Sequence, residues 1–252
     1  MVQAVFEMSL KLLAAPLLIW QGLGVRKHAL ILPEPTGPRS GVTAKRSSPN
    51  APLRLLIVGD SAAAGVGVDT QDDALLGQLV QTLSQHTTVE WDLIARTGAT
   101  TASTTTWLRD TQAKPYDAVV ISLGVNDVTR QIPLQRWINQ TATLLDLLVS
   151  KFSAKRIYTT TLPPMGEFPV LPQPLRWIIG LRVDRFDTAM ARYQSTLPEV
   201  TRLHPDYPMG PTLMASDGYH PSKQAYTIWA DLMAKAILED IEGLGQKRLA
   251  KI

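Results

Sequence analysis

The sequence predicts an α/β protein built on a mostly parallel sheet with helices covering both faces. Two observations lead to this reading. Strand-like runs alternate with helix-like patterns along most of the chain, which is the signature of βαβ units. The runs at 53–58 and 118–123 are almost continuously apolar, as strands buried on both sides are. With 252 residues, 45% of them apolar and 19% charged, the chain can build one sizeable domain around a full core.

The first 32 residues form an apolar and basic segment. "LLAAPLLIW" (Leu12 to Trp20) is apolar for nine residues, less than half of the roughly 20 needed to span a bilayer. Three readings stay open for it. It fits a helix lying on a membrane surface, with Arg26, Lys27 and His28 toward anionic headgroups. It fits a helix packed on the protein's own body. It also fits the apolar region of a signal peptide starting at Met8 with Lys11 as its charge, although "QGLGVRKHA" offers no clear small-x-small cleavage site. Together these favour a cytoplasmic or membrane-associated protein over an exported one. Residues 33–52, "PEPTGPRSGVTAKRSSPNAP", are rich in Pro, Ser and Gly and read as a linker.

The body should run over 53–245. "LRLLIVG" (53–59) predicts a strand and "DDALLGQLVQTLSQH" (72–86) the helix after it. "VEWDLIA" (89–95) precedes the helical "TASTTTWLRDTQ" (101–112), and "YDAVVISLG" (116–124) precedes "PLQRWINQTATLLDLLVSKF" (133–152). "KRIYTTTLP" (155–163) leads into a proline-dense loop, with a helix expected to start near Pro174. In the last helix, Pro221 suits the first turn, and Ala225, Ile228, Trp229, Leu232, Met233, Ala236, Ile237 and Ile241 form an apolar stripe.

Composition removes several classes of function. The formal charge is only +3 at a pI of about 9.2, with no dense Lys/Arg run, so no nucleic-acid partner is expected. Without cysteine there is no disulfide, thiolate catalyst or cysteine-bound zinc. No cluster has metal-ligand spacing, and His204-Pro205-Asp206 alone is too little for a site. "AAAGVGVDT" lacks the dinucleotide fingerprint, and neither a Gly-x-Ser-x-Gly elbow nor a phosphate-binding P-loop is present. No cofactor is expected.

In an open parallel sheet, ligands bind beyond the carboxyl ends of the strands. Gly59-Asp60-Ser61 follows the first body strand, Thr97-Gly98-Ala99 the second and Gly124-Val125-Asn126-Asp127 the third, while "DGYHPS" (217–222) precedes the last helix. Singly, each reads as a turn or a helix cap. Together they supply an acyl-transfer site. A serine hydroxyl needs a base, and histidine is the side chain that titrates near neutrality. Of four histidines, His28 lies in the amino-terminal segment and His86 follows a helix pattern. His204 and His220 remain, and only His220 has an acid placed to orient it, Asp217 three residues earlier. Donors for a tetrahedral oxyanion are the backbone N–H groups of Ser61 and Gly98 and the side-chain amide of Asn126.

With these four blocks in this order, the chain resembles the SGNH hydrolases, also called the GDSL lipase/esterase family. "GDS", Gly98, "GVND" and "DGYHPS" stand where the family's conserved blocks do, over Leu53 to roughly Ala236. The resemblance implies a flavodoxin-like three-layer α/β/α sandwich, here expected around a mostly parallel five-stranded sheet. It implies Ser61, Asp217 and His220 as triad and Ser61, Gly98 and Asn126 as oxyanion hole. Two residues depart from the pattern: Ala62 stands where leucine is common, and Arg96 stands where an asparagine often precedes the glycine. Asp60 and Asp127 read as braces for the site's loops.

The expected activity is hydrolysis of small-molecule short- or medium-chain acyl esters or thioesters. The candidate acyl pocket is Phe168, Leu171, Trp177 and Ile178, in or beside the proline-rich loop. Two alternatives are a carbohydrate O-acetyl esterase and a catalytically silent, membrane-associated scaffold on the same fold. The sequence leaves the oligomeric state open.

Overall fold

The structure, a computed structural model, describes residues 15–25, 27–28, 30–45, 51–205 and 210–249. Of the apolar and basic amino-terminal segment, 1–14, Arg26 and residue 29 lie outside the described residues, as do 46–50 of the segment read as a linker and Asp206.

Six strands form one sheet: β1 Ser40–Thr43, β2 Leu53–Gly59, β3 Val89–Ala95, β4 Ala118–Ser122, β5 Arg156–Thr160 and β6 Val200–Leu203. Their order is β1-β3-β2-β4-β5-β6, all parallel except β1, which runs antiparallel to β3. Without β1 this is the flavodoxin-like order, with its switch point between β2 and β4. The five-stranded expectation is therefore corrected to six. The added strand comes from the segment read as a linker, because edge pairing uses backbone groups and leaves no apolar run to see. Ser40–Thr43 is half exposed, and Gly41 lies so close under Trp91 that a Cβ there would sit 2.7 Å from the indole.

Alternate residues of β2 feed two cores. Leu55 and Ile57 pack toward α3 (Leu75–Ser84) and α8 (Lys223–Leu249), while Leu56 and Val58 face α4 (Thr101–Asp110) and α6 (Leu134–Phe152). Those are the two helical layers. A third cluster, including Trp137, Phe168, Val183, Phe186 and Met190, sits around α5 (Val125–Thr129) and α7 (Leu175–Gln194).

The last helix differs in detail from the expectation. Pro221 precedes it, bridged to Met214, and the helix starts at Lys223 with the Ser222 hydroxyl accepting from Ala225 N–H at 3.4 Å. Its buried stripe runs through Tyr226, Ala230 and Ala234 as well as Ala225, Trp229, Met233 and Ile237, while Ile241 is exposed. The Tyr226 hydroxyl lies 3.0 Å from the carbonyl of Ala62 and 2.7 Å from that of Val66, tying α8 to the loop after β2.

Candidate active site

The site lies beyond the carboxyl ends of β2 and β4. Gly59 ends β2 where no side chain fits, since a Cβ would stand 2.3 Å from the Ser122 carbonyl oxygen. Asp60 caps the next turn, α2 (Ser61–Ala64), by accepting from Ala62 N–H at 3.1 Å. That helix is a single turn, closed by Gly65 in the left-handed conformation. The Ser61 N–H, in its first position, is one of the donors no intrahelical carbonyl reaches. Gly67, at φ +114°, carries the loop against the Pro221 carbonyl, where a Cβ would be 2.3 Å away. This contact and the Tyr226 hydrogen bonds bring a residue near 61 beside one near 220.

Ser61, His220 and Asp217 form one hydrogen-bonded chain. The Ser61 Oγ lies 2.8 Å from His220 Nε2, and His220 Nδ1 lies 2.5 Å from Asp217 Oδ2. The carboxylate fixes the proton on Nδ1, leaving Nε2 to accept from the serine hydroxyl. The three-residue spacing works because Asp217 folds its own loop. Its Oδ1 accepts from the N–H groups of Tyr219 (2.9 Å) and His220 (3.0 Å), while Gly218 takes φ +64°. Burial pushes the Asp217 carboxyl up, but the His220 ring and these two N–H donors outweigh it and hold the group below the usual carboxylate range.

Gly98 and Asn126 come from the loops after β3 and β4. The Asn126 amide donates to the Ala99 carbonyl at 3.0 Å, and Arg130 donates to the Gly98 carbonyl at 2.9 Å, so the two loops are latched together. Asp127, fully buried, accepts from the N–H and hydroxyl of Thr101 at the start of α4, both at 3.1 Å. Its pKa is raised because burial outweighs those bonds. Asp60 is raised to about 7 by burial, against the N–H groups of Ala62 and Ala63, with the charge of Asp127 adding to the shift. Both acids brace loops, as expected of them. Arg96 stacks its guanidinium 4.3 Å over the Trp107 ring and takes no part in these hydrogen bonds.

A cavity of about 560 Å³ opens at Ser61 and His220 and runs across the ends of β4, β5 and β6. Of the four candidate pocket residues only Phe168 lines it. The others are corrected. Leu171 is buried in the third cluster behind the wall, Trp177 is exposed on α7, and Ile178 is half-buried away from the cavity. The wall comes instead from Val183, Asp184, Asp187 and Thr188 of α7, from Thr159 to Pro164, and from Trp137, stacked on Phe186 at 5.1 Å. Tyr219 was also missed, although it lies inside "DGYHPS". Its ring stands edge-on to His220 (5.3 Å) and Phe168 (5.5 Å), and burial, with the charges of Asp60 and Asp217, raises its phenol. Deeper in, Asp187 accepts from Leu162 N–H at 2.8 Å and pairs with Arg202, fixing the loop after β5. His204 lines the cavity away from the hydrogen-bonded chain. Among the described residues no group of three or more His, Cys, Asp or Glu is arranged to hold a metal.

Residues 57–228 match the family model of the GDSL-like lipase/acylhydrolase family. The chain is 29% identical over 195 residues to a GDSL-like esterase of Mycobacterium tuberculosis, covering 73% of this chain and 62% of the relative, so it spans less than two thirds of that protein's length. Two solved structures share the fold. The psychrotrophic esterase EstA from Pseudoalteromonas superimposes with a TM-score of 0.58 at 18% identity, over 75% of this chain and 98% of that one. The lipase Lip_vut3 from a goat rumen metagenome does so with 0.56 at 15% identity, over 73% and 97%.

Proposed function

This chain belongs to the GDSL-like lipase/acylhydrolase family, and from that premise we propose that it hydrolyses carboxylic esters or thioesters through an acyl-serine intermediate. The observation that carries the reading is the unbroken chain from Ser61 Oγ to His220 to Asp217. Ser61 Oγ attacks the acyl carbonyl while His220 Nε2 takes its proton, and Asp217 stabilises the imidazolium. The oxyanion is received by the N–H groups of Ser61 and Gly98 and the Asn126 amide. His220 then protonates the leaving alcohol or thiol as the carbon–oxygen or carbon–sulfur bond breaks. Water, deprotonated by the same ring, attacks the acyl-enzyme, and the proton returns to Ser61 as the acid departs.

The mostly apolar cavity wall, with Phe168, Val183, Leu144 and Met190, supports an acyl chain of short or medium length rather than a carbohydrate acetyl group. The test is hydrolysis of p-nitrophenyl esters from acetyl to palmitoyl by wild type and Ser61→Ala. Serine-dependent turnover is expected, with kcat lower by about 10⁴ to 10⁶ in Ser61→Ala. Equal turnover by the variant would overturn the assignment. If no ester is hydrolysed, a narrow natural substrate and a silent scaffold both remain, and failure of a serine-directed phosphonate to label Ser61 would point to the scaffold.

A further inference from the structure

We propose that the outward face of α1, the helix over 15–25, together with the neighbouring exposed apolar residues of α7, is a docking surface for an anionic lipid bilayer. The inference stands independently of the hydrolase reading.

A helix on a protein surface ordinarily turns its apolar side inward. Here the order is reversed. The polar Gln21 is buried, only 8% exposed, and it is held from both ends: its amide donates to the Gln173 carbonyl at 2.6 Å and its carbonyl accepts from Leu175 N–H at 3.1 Å. Val25 packs on the third core cluster. These contacts fix the rotation of the helix. At about 100° per residue, the side opposite Gln21 then carries Ile19 and Leu23, with Trp20 beside them. These three are 62%, 62% and 72% exposed.

The patch continues onto α7. Gln173, which accepts from Gln21, also accepts through its side chain from Trp177 N–H at 3.3 Å. Trp177 and Leu181, four residues apart on one helix side, are both exposed. Further along α7, Val183, Asp184, Asp187 and Thr188 line the cavity, so the patch and the cavity wall belong to successive stretches of one helix.

Charge selects the occupant. Lys27 and His28, themselves helical, are exposed, with His28 Nδ1 2.9 Å from the Gly24 carbonyl, and on α7 Arg185 is exposed one turn beyond Leu181, next to the exposed Asp184. No acidic residue lies in 15–25, and the whole chain carries +3. Apolar residues with an exposed tryptophan, bordered by cations, are the composition of a helix lying in the interface plane of a membrane. Among the described residues no helix is long and apolar enough to cross a membrane.

The test is co-sedimentation of the full chain with phosphatidylcholine vesicles, with and without phosphatidylglycerol, at low and high salt. The wild type is expected to bind the anionic vesicles and to bind less as salt rises. The double variant Trp20→Ser/Leu23→Ser should weaken binding by roughly tenfold or more, and Lys27→Glu should weaken it on anionic vesicles only. The altered side chains are exposed, so unfolding midpoints should match the wild type. If the double variant does not fold, the Lys27→Glu and salt arms still decide. No binding to either vesicle, or equal binding by wild type and variants, would overturn the proposal. So would a dimer that the double variant dissolves while vesicles leave the protein in solution, since that result gives the face to a second copy of the chain.

Discussion

Replacing Asp60 by asparagine should stabilise the protein at neutral and alkaline pH and leave it unchanged only below about pH 4. The carboxyl sits at the tip of β2, 3% exposed, with Ala62 N–H at 3.1 Å and the Ser122 hydroxyl at 3.5 Å. Burial raises it from the model-compound 3.8 to about 7, with the charge of Asp127 contributing. In the unfolded chain the group releases its proton near the ordinary carboxylate pKa, and in the native state it keeps it until about pH 7. Between those values the native state binds more protons, so stability falls as pH rises and levels off above the folded pKa. A displacement of about three units at about 1.4 kcal/mol each makes the penalty ~4 kcal/mol above pH 7. Asparagine keeps an oxygen for the Ala62 N–H, so the cap survives while the buried charge is removed. Urea unfolding at about pH 5 and about pH 8 measures this directly. The variant should gain on the wild type between the two pH values by ~2 to 3 kcal/mol, the part of the penalty that builds up within that window. Parallel stability profiles for the two proteins would mean that Asp60 does not titrate with a raised pKa in the folded protein.

Three further outcomes follow from the same geometry. Asn126→Ala should lower kcat by about 10² to 10³ in p-nitrophenyl ester assays, because it removes an oxyanion donor. Asp217→Asn should lower kcat by about 10⁴, since an amide no longer selects the Nδ1–H tautomer, and it should do so with little change in the unfolding midpoint. Tyr226→Phe should cost about 1 to 3 kcal/mol in denaturant unfolding, because the hydroxyl meets the carbonyls of Ala62 and Val66 in a buried setting.

The parts of the molecule legible in the sequence are those where local chemistry and global packing coincide. β2 and β4 are buried on both faces, so their apolar runs announce them. The Asp217–His220 spacing is readable because a single loop folds around the aspartate. β1 and β6 were not readable: "SGVT" and "VTRL" are short, half exposed and joined to the sheet through backbone groups. The cavity at Ser61 escaped for a different reason. Its α7 wall uses Val183, Asp184, Asp187 and Thr188, a mixed polar set that no hydrophobic periodicity marks. The aromatic and aliphatic side chains that drew notice, Trp177 and Ile178, lie off that wall.

In the proposed reaction Ser61 is a nucleophile activated by His220. Reaction with a serine-directed phosphonate, followed by peptide mass mapping, tests it most directly. One adduct, on Ser61, should form in the wild type and be nearly abolished in His220→Ala. An adduct on another residue, or labelling of Ser61 at the same rate without His220, would contradict it.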